Sequence, residues 1–472
     1  MKKSSTVNRI VSNIKERAHH VLSRSLDSHI TLAVTGLSGA GKSAFITSLL
    51  HQLIHYRDAS LPFFKPTSEQ RLLGVRRVPQ QRLDWIRYPY ETAVAGLSEQ
   101  VPQWPAPTRG VSTVSLELLY RPAKQPLASL TDRAKLRVDI IDYPGEWLLD
   151  LPLLALDYNE WCQLNSHLMT GYAELPEFVL WRETIASIDL NAPVDELLLA
   201  DLAKQYADLL HTLRGAGAYL LQPGRFLLPG EYEGTPLLQF FPYILLDSLQ
   251  DKYKKNSWGY CLTKRFEAYK SQVVEKFYKE YFSKFDRQIV LVDPLTAMAA
   301  GHAQFQDLKQ ALLQVLGSFK YGQRSLLRRL FNPRIDKVVL AASKADHVLP
   351  AQQDQLSQLV RQMVITEDSP WGFADVQVET CAFAAIKAST VGNHEYQGVA
   401  RTMLKATSLD ERKPFLFYPG ELPTSLPSSQ IFEQHQFSFV PFAPPMVGKE
   451  GNIIPHIAMD RVLQFLLGDK LQ

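Results

Sequence analysis

The chain has 472 residues and 46% apolar content, which is enough to bury a sizeable core in two or more domains. Its net charge of +3, with 21% charged residues, excludes the bulk basicity of a nucleic-acid-binding protein, and no apolar run is long enough to span a bilayer. The three cysteines are far apart and form no CxxC pattern, which argues against a disulfide framework or a structural zinc and fits the reducing cytoplasm.

The N-terminal segment, residues 1–28, predicts an amphipathic helix. Its apolar residues recur at helical spacing, while basic residues such as Lys15 and Arg24 occupy the other face. The segment lacks an uncharged apolar stretch and a small-residue cleavage site, so it is not a secretory signal. The simpler interpretation is a helix that packs on its own domain. The alternative is peripheral contact of its basic face with an anionic membrane surface.

Six apolar, β-rich runs predict an α/β fold with a mostly parallel six-stranded sheet. Several are nearly continuous apolar stretches, as expected of strands buried on both faces, whereas the second run alternates like an edge or antiparallel strand. The runs are ITLAVTG (30–36), STVSLELLY (112–120), LRVDIID (136–142), QIVLVD (288–293), KVVLAAS (337–343) and VQVETCA (376–382). Residues 29–146 and 288–413 are therefore predicted to form two parts of one core domain.

A glycine-rich turn, Gly36-x-x-x-x-Gly41-Lys42-Ser43, follows the first run directly. This spacing is that of the phosphate-binding loop, whose backbone N–H groups cradle phosphate at a helix N-terminus. Lys42 is expected to reach the β- and γ-phosphates, and the Ser43 hydroxyl is expected to bind Mg²⁺. The predicted nucleotide-binding residues of this loop are Gly36, Ser38, Gly39, Ala40, Gly41, Lys42, Ser43 and Ala44. The sequence of this loop, GLSGAGKS, also resembles the loop of adenylylsulfate kinases, so a small-molecule kinase is the alternative.

The stretch from about 45 to 111 holds a helix and then a proline- and arginine-rich segment. In a GTPase this enlarged switch I region supplies a threonine whose hydroxyl binds Mg²⁺. Thr108 is the first candidate for this catalytic and metal-binding position, and Thr113 is the second. An arginine in cis would support catalysis, and Arg109 is the nearest in sequence. An ordinary solvated surface is the simpler interpretation of the arginines in this region.

The third run ends in Asp142-Tyr-Pro-Gly145, a DxxG pattern. Asp142 is expected to hold Mg²⁺ through a water, and the Gly145 N–H to sense the γ-phosphate, so that hydrolysis releases the segment. Glu146 comes next, where small GTPases place a glutamine that orients the attacking water. A carboxylate accepts a proton from water but repels the γ-phosphate. This substitution predicts slow hydrolysis.

Ser343-Lys344-Ala345-Asp346 ends the fifth run and resembles the [N/T]KxD motif that recognises guanine. The Asp346 carboxylate is expected to accept hydrogen bonds from guanine N1–H and the 2-amino group, neither of which adenine offers. Lys344 is expected to lay its stem along the base, and Ser343 departs from the usual Asn or Thr. The sixth run closes with ETCA, which resembles the SA motif and adds Cys381 and Ala382 to the predicted base site.

Two further parts of the chain complete the domain organisation. Residues 147–287 predict an inserted helical subdomain, in which Asp195 caps a helix with an apolar stripe that begins at Leu197 and Leu198 and ends before Gly215. Residues 414–472 predict an extension rich in short strands and proline turns, followed by a closing helix.

Together, the phosphate loop, DYPGEW, SKADH, the helical insertion and the proline-rich C-terminal part resemble the YcjX family of bacterial stress-associated P-loop GTPases. The resemblance covers most of the chain. It implies a cytoplasmic GTPase with a Ras-like core and an inserted helical domain similar to that of heterotrimeric G-protein α subunits, with GTP/GDP and Mg²⁺ as ligands. We therefore expect a GTP-hydrolysing conformational switch in a stress response, with an unidentified protein effector. A membrane-surface scaffold with a structural nucleotide is a further alternative.

Overall fold

The computed structural model describes residues 28–37, 39–107, 110–123, 132–318, 335–364, 376–396, 398–435, 437–447 and 453–472. Residues 1–27, which carry the predicted amphipathic helix and its membrane contact, lie outside these ranges. The described residues form a mixed α/β structure around a largely parallel central sheet. Within them, no helix combines the length and the apolarity needed to cross a bilayer.

The strands of the central sheet are β1 (Ser28–Gly36), β2 (Leu72–Val78), β3 (Ile86–Arg87), β4 (Ser112–Tyr120), β5 (Ala134–Asp142), β6 (Arg287–Val292), β7 (Lys337–Ala342) and β8 (Gln377–Ala382). Their order across the sheet is β2-β4-β5-β1-β6-β7-β8, with β3 beside β4. All six predicted runs are strands, but the predicted count of six is wrong. The described sheet also contains β2 and β3, in which Gly74 and arginines interrupt the apolar residues. β4 is antiparallel to β2 and β5 as predicted, yet β2 removes it from the edge.

Helices pack on both faces of this sheet. The α-helices of the described residues are α1 (Lys42–Ile54), α2 (Lys65–Ser68), α3 (Tyr90–Leu97), α4 (Tyr158–Leu168), α5 (Pro176–Ala186), α6 (Glu196–Gly215), α7 (Gly224–Leu227), α8 (Trp258–Tyr269), α9 (Glu275–Glu280), α10 (Pro294–Ala300), α11 (His302–Ser318), α12 (Gln353–Val364), α13 (Ser429–Gln434) and α14 (Met459–Leu467). Side chains of β1 alternate between the faces: Leu32 packs in the cluster of α1 and α14, and Ala33 in the cluster of α11 and α12. Burial on both faces explains the continuous apolar runs.

The register of the parallel strands places their carboxyl ends at one edge. Gly36 at the end of β1 pairs with Leu291, and Val292 at the end of β6 pairs with Ala342 of β7. β5 and β6 flank β1 on its two sides. In open α/β sheets, ligands bind outside the carboxyl ends of the strands. The phosphate loop and the end of β7 therefore face the same edge.

The inserted residues between β5 and β6 begin with a 3₁₀ helix, Gly145–Ala155, and continue through α4 to α9. Their buried aromatic residues, such as Trp161 and Phe266, belong to one hydrophobic cluster with residues of the sheet. Asp195 caps α6 as predicted, accepting hydrogen bonds from two backbone N–H groups. The predicted stripe is wrong at its start, because Leu197 is 84% exposed and the buried face begins at Leu199.

Asp150 connects the 3₁₀ helix to the insertion. Its carboxylate accepts hydrogen bonds from Tyr269 Oη (2.5 Å) and from the Gly224 N–H (2.7 Å). The side chain is fully enclosed, and burial raises its pKa to about 6 although both hydrogen bonds favour the charged form. Next to these bonds, a second pair of residues joins the 3₁₀ helix to the chain before α7: Gln222 Nε2 donates to Leu149 O at 2.5 Å. The segment that follows the DxxG pattern is thus held by buried hydrogen bonds to α8 and to the residues around α7.

Asp150→Asn is expected to remove a pH-dependent loss of stability. The native carboxyl group titrates near 6 and the unfolded one near about 4, so the free energy of unfolding falls as pH rises through about 6. The fall between pH 4.5 and 7.5 should be about 2 kcal/mol. An asparagine carries no charge; its oxygen accepts the Gly224 N–H, and its NH₂ donates to the Tyr269 oxygen in place of the bond that Tyr269 donates to the carboxylate. Denaturant unfolding at the two pH values should show this fall in the unmodified protein and not in the variant. Asp208→Asn, an exposed change on α6, is the control, and a fall of equal size in Asp150→Asn contradicts the prediction.

A second, smaller sheet follows β8. It consists of β9 (Ser389–Tyr396), β10 (Val399–Thr407) and β11 (Pro414–Phe417), in the antiparallel order β11-β10-β9. Beyond β11 the chain returns toward this sheet, and Phe442 forms a bridge to Ser408. The chain then reaches α14, the closing helix, whose buried leucines pack beside α1.

Candidate functional site

A cavity of about 510 Å³ lies at the carboxyl edge of the central sheet. It joins segments that are far apart in sequence: the phosphate loop, the residue after the DxxG pattern and the end of β7. The predicted site residues that line it are Gly39, Ala40, Gly41, Lys42, Ser43, Ala44, Glu146, Ser343, Lys344 and Asp346. Ser38 and Thr108 lie outside the described residues.

The phosphate loop has the backbone geometry of an anion cradle. Gly39 and Gly41 have φ angles of 76° and 89°, which glycine adopts at little cost and other residues rarely adopt. A Cβ on either glycine would meet no atom within 4 Å, so both open toward free space. Gly41 directly precedes α1, whose first turn carries no acidic residue. The positive end of the α1 dipole therefore faces this loop and fits a phosphate group.

Gly145 packs directly against the phosphate loop. A Cβ on Gly145 would lie 2.6 Å from Gly36 O, and a Cβ on Gly36 would lie 2.7 Å from Leu291 O. Both contacts are to backbone, so neither position accepts a larger residue without a shift of the chain. Lys42 Nζ donates a hydrogen bond to the same Gly36 carbonyl at 2.7 Å. The DxxG segment, the loop and the loop's lysine thus meet at Gly36.

Tyr88 lies near the two predicted metal ligands, Ser43 and Asp142, which are both buried. Its hydroxyl donates to Ser43 O at 2.7 Å and lies 2.7 Å from Thr47 Oγ1. Burial raises the pKa of Tyr88, and the nearby Asp142 carboxylate raises it further. A serine hydroxyl and a carboxylate are oxygen donors of the kind that Mg²⁺ takes in proteins. The residues present therefore fit the ion.

The predicted switch I threonines are not part of the described cavity wall. Thr113 lies in β4, where its hydroxyl donates to Ile140 O at 3.0 Å, and the strand rather than the cavity holds it. Thr108 and Arg109 fall outside the described residues. Tyr88, which comes from the same region, was not singled out by sequence analysis, because a tyrosine in a polar stretch carries no motif.

The buried Glu146 forms an ion pair with the partly exposed Arg214 at the end of α6. The side chain of Glu146 is 3% exposed, and its Oε1 lies 3.3 Å from Arg214 Nη2. Its Oε2 is buried and accepts no hydrogen bond from the described part of the chain. Both residues line this cavity and also a second cavity of about 350 Å³. The insertion thus places a guanidinium group beside the phosphate loop, at a position that no sequence motif marked.

Asp346 occupies the other end of the cavity. Its Oδ2 accepts a hydrogen bond from the Ala388 N–H at 2.8 Å, and its backbone carbonyl accepts one from Ser389 Oγ at 2.6 Å. The next residue, His347, stacks on Phe442 with ring centroids 3.9 Å apart. Ala388 therefore orients this carboxylate, and Ser389 at the start of β9 holds the main chain of Asp346.

Ser343 and Lys344 bind protein groups at the end of β6. Ser343 Oγ donates to Val292 O at 3.0 Å. Lys344 has a left-handed φ of 59°, and its ammonium pairs with Asp293 at 2.5 Å and donates to Thr296 Oγ1 at 3.0 Å. The stem of Lys344 lines the cavity while its charge is held by the N-terminus of α10.

Cys381 and Ala382 lie inside β8, paired with Ala341 and Ala342 of β7. Burial raises the pKa of the Cys381 thiol to about 12. Neither residue lines the cavity, whose wall is formed instead by residues 383–386, which follow the strand. The structure therefore places the end of β8, at Ala382, one to four residues before the part of the chain that faces the site.

Comparison with known proteins agrees with this geometry. The profile of the YcjX-like family, DUF463, matches residues 30–471. The chain belongs to the YcjX-like family. It is 42% identical to a protein of Shewanella oneidensis named Ras-like GTPase YcjX, over 97% of this chain and 98% of that protein. It is 39% identical to the Escherichia coli K12 protein of the same name, over 98% of this chain and 100% of that protein.

The similarity to the YcjX-like family is not confined to the nucleotide motifs. The matched range includes every described residue that lines the cavity, from Gly39 to Phe442. It therefore includes Arg214 in the insertion, together with Trp104 and the C-terminal residues at the other end of the cavity.

Proposed function

We propose that this protein binds GTP, hydrolyses it to GDP with Mg²⁺, and changes conformation between the two states. The observation that carries the proposal is one cavity whose wall contains a glycine-rich anion cradle, Glu146 and Asp346. A carboxylate that faces a nucleobase favours guanine, because guanine presents two donors on one edge. The names of the relatives, Ras-like GTPase, support the same reading.

Specific residues of the site would bind the phosphates and the Mg²⁺ ion. The N–H groups of the loop from Gly39 to Ser43 and the Lys42 ammonium would hold the phosphates, while Ser43 and Asp142 would hold Mg²⁺. Bound there, Mg²⁺ neutralises charge that develops on the phosphate oxygens. Tyr88 fixes the main chain of Ser43 through its hydrogen bond, so the first turn of α1 keeps its orientation.

The residues beside the phosphate end explain the slow hydrolysis that we propose. Glu146 lines the cavity and can accept a proton from water, but its charge opposes the approach of anionic phosphate. Arg214 lies 3.3 Å from this carboxylate and offsets the repulsion. The insertion, rather than a separate activating protein, then supplies the positive charge for this step.

Arg214→Ala is expected to slow single-turnover GTP hydrolysis by at least about tenfold. The change leaves the buried Glu146 carboxylate without its ion-pair partner beside the phosphate site. Arg214→Lys should retain part of the rate, because it keeps the charge. Lys204→Ala, which removes an exposed cation from the same helix, is the matched control. Hydrolysis by Arg214→Ala at the unmodified rate, with nucleotide bound, contradicts this role.

The proposed switch is the 3₁₀ helix that starts at Gly145. Its first residue contacts the phosphate loop, and Asp150 in the same helix contacts the insertion. Loss of the γ-phosphate would therefore act on the insertion through one short element. We place this activity in the cytoplasm and in a stress response through a protein effector, as the family resemblance implies.

Calorimetry and phosphate-release assays on the purified protein test the proposal. With Mg²⁺ present, GTP and GDP should bind and ATP should bind at least about tenfold more weakly. Bound GTP should release one phosphate per protein in a slow first turnover. Absence of guanine-nucleotide binding, or an equal affinity for ATP, would exclude the proposed function.

A further inference from the structure

The Asp346 end of the cavity has an apolar wall formed by two segments from opposite parts of the chain. Segment 101–107 contributes Trp104, and the C-terminal part contributes Leu409, Pro441 and Phe442. We call residues 408–412 and 441–447 the C-terminal cover. Its Phe442 ring stacks on His347, the neighbour of Asp346. The cover therefore lies at the end of the cavity where the carboxylate is.

Hydrogen bonds join segment 101–107 to the C-terminal cover, and the Val447 N–H of the cover also donates to Leu97 O at the end of α3. Trp104 Nε1 donates to Phe442 O at 2.9 Å. Arg412 Nη1 donates to Pro102 O at 3.0 Å, and its Nη2 lies 3.4 Å from Gln103 Oε1. These contacts link positions more than 300 residues apart and involve partly buried or exposed groups. Such contacts separate at a small free-energy cost compared with the core strands.

Each of the two segments is also hydrogen-bonded to a neighbouring secondary-structure element. The Gln103 N–H donates to Gly96 O, which ties segment 101–107 to α3. In the cover, the Ala443 N–H donates to Thr407 O and the Leu409 N–H to Pro441 O, so Phe442 is held by the small sheet. Each segment is therefore held in place by its own neighbours, α3 or the small sheet, and the two segments contact each other at the cavity.

We propose that the C-terminal cover and Trp104 form the nucleoside-binding wall of the site, and that the hydrogen bonds between them control nucleotide release. The inference rests on the proposed function. Asp346 supplies directional hydrogen bonds, and Trp104 and Phe442 supply flat apolar surface, the combination that a purine nucleoside needs. A bound nucleoside is enclosed while the segments are joined, and it leaves when they part.

Two variants test the contact directly. Trp104→Phe keeps an aromatic ring and removes the N–H that bonds to Phe442 O. Arg412→Ala removes the guanidinium group, and alanine pays the same backbone cost as arginine at the left-handed φ of 57°. We expect fluorescent GDP to dissociate about fivefold faster from the first variant and about tenfold faster from the second. Lys413→Ala, a change at a surface lysine next to Arg412, should leave the rate unchanged.

The outcomes separate this inference from the proposed function. Failure of the unmodified protein to bind fluorescent GDP overturns both. Binding followed by equal dissociation rates in the unmodified protein and the two variants overturns the inference alone. A second measurement needs no variant: hydrogen exchange of the full chain should show protection of residues 101–107 and 441–447 when GDP is added. Unchanged exchange in both segments at full occupancy also overturns the inference.

Discussion

Replacing Lys42 with alanine is expected to weaken GTP binding by about 100-fold or more. The ammonium group lies over the phosphate loop, 2.7 Å from Gly36 O, and is the cation that the loop itself supplies for the β- and γ-phosphates. Its charge-assisted hydrogen bonds are stronger than those of neutral donors. Calorimetric titration with GTP in the presence of Mg²⁺ measures the effect.

Lys65→Ala is the matched control for this prediction. Lys65 is an exposed lysine in α2, outside the cavity wall, so its loss should leave the affinity for GTP within about twofold. Thermal unfolding of both variants shows whether the fold is retained. A folded Lys42→Ala protein that binds GTP with the affinity of the unmodified protein would exclude the phosphate-loop assignment.

Asp346→Asn is expected to weaken binding of GTP and to strengthen binding of xanthosine triphosphate. Oδ2 accepts the Ala388 N–H at 2.8 Å, so the amide oxygen of an asparagine takes that position and its NH₂ replaces Oδ1. That NH₂ then meets the 2-amino group of guanine donor to donor. An unsatisfied group in a buried site costs about 1–3 kcal/mol, so GTP should bind at least about tenfold more weakly. Xanthosine triphosphate carries a carbonyl at C2, which accepts from the NH₂, and it should bind the variant more tightly.

Competition of GTP, ATP and xanthosine triphosphate against a fluorescent nucleotide measures the three affinities of the unmodified protein and of the Asp346→Asn variant. Asp354→Asn removes an exposed carboxylate from α12 and should change none of the three affinities. A small-molecule kinase that resembled the adenylylsulfate kinases would not use Asp346 for the base. If Asp346→Asn keeps its GTP affinity and gains none for xanthosine triphosphate, the guanine assignment fails and the kinase becomes the better interpretation.

Local features of the site were predictable because each depends on residues close in sequence. The glycines of the phosphate loop need positive φ angles at fixed spacing, and a strand before and a helix after them follow from the apolar pattern. Asp195 caps α6 because a carboxylate two or three residues ahead of free N–H groups accepts from them. The six apolar strands follow from burial on both faces of a parallel sheet.

Contributions from distant segments were not predictable in this way. Arg214, Trp104 and Phe442 reach the cavity through the packing of the insertion and the small sheet, and none belongs to a motif. β2 was missed because it carries two arginines and packs at an edge, where an apolar pattern is not required. The residues facing the base end lie after Cys381 and Ala382 because pairing with β7 continues the strand through both of them.

The placement of β1 between β5 and β6 also has a consequence for synthesis of the chain. β1 is made early, but its partner β6 begins only at Arg287, after the whole insertion. At about 5–20 residues per second, ribosomes need tens of seconds to cover that distance. During this interval one side of β1 has no neighbouring strand, and an open strand edge is a site for aggregation. The nascent chain therefore passes through a stage in which the strand that leads into the phosphate loop is half paired, and chaperone binding at this stage would protect it.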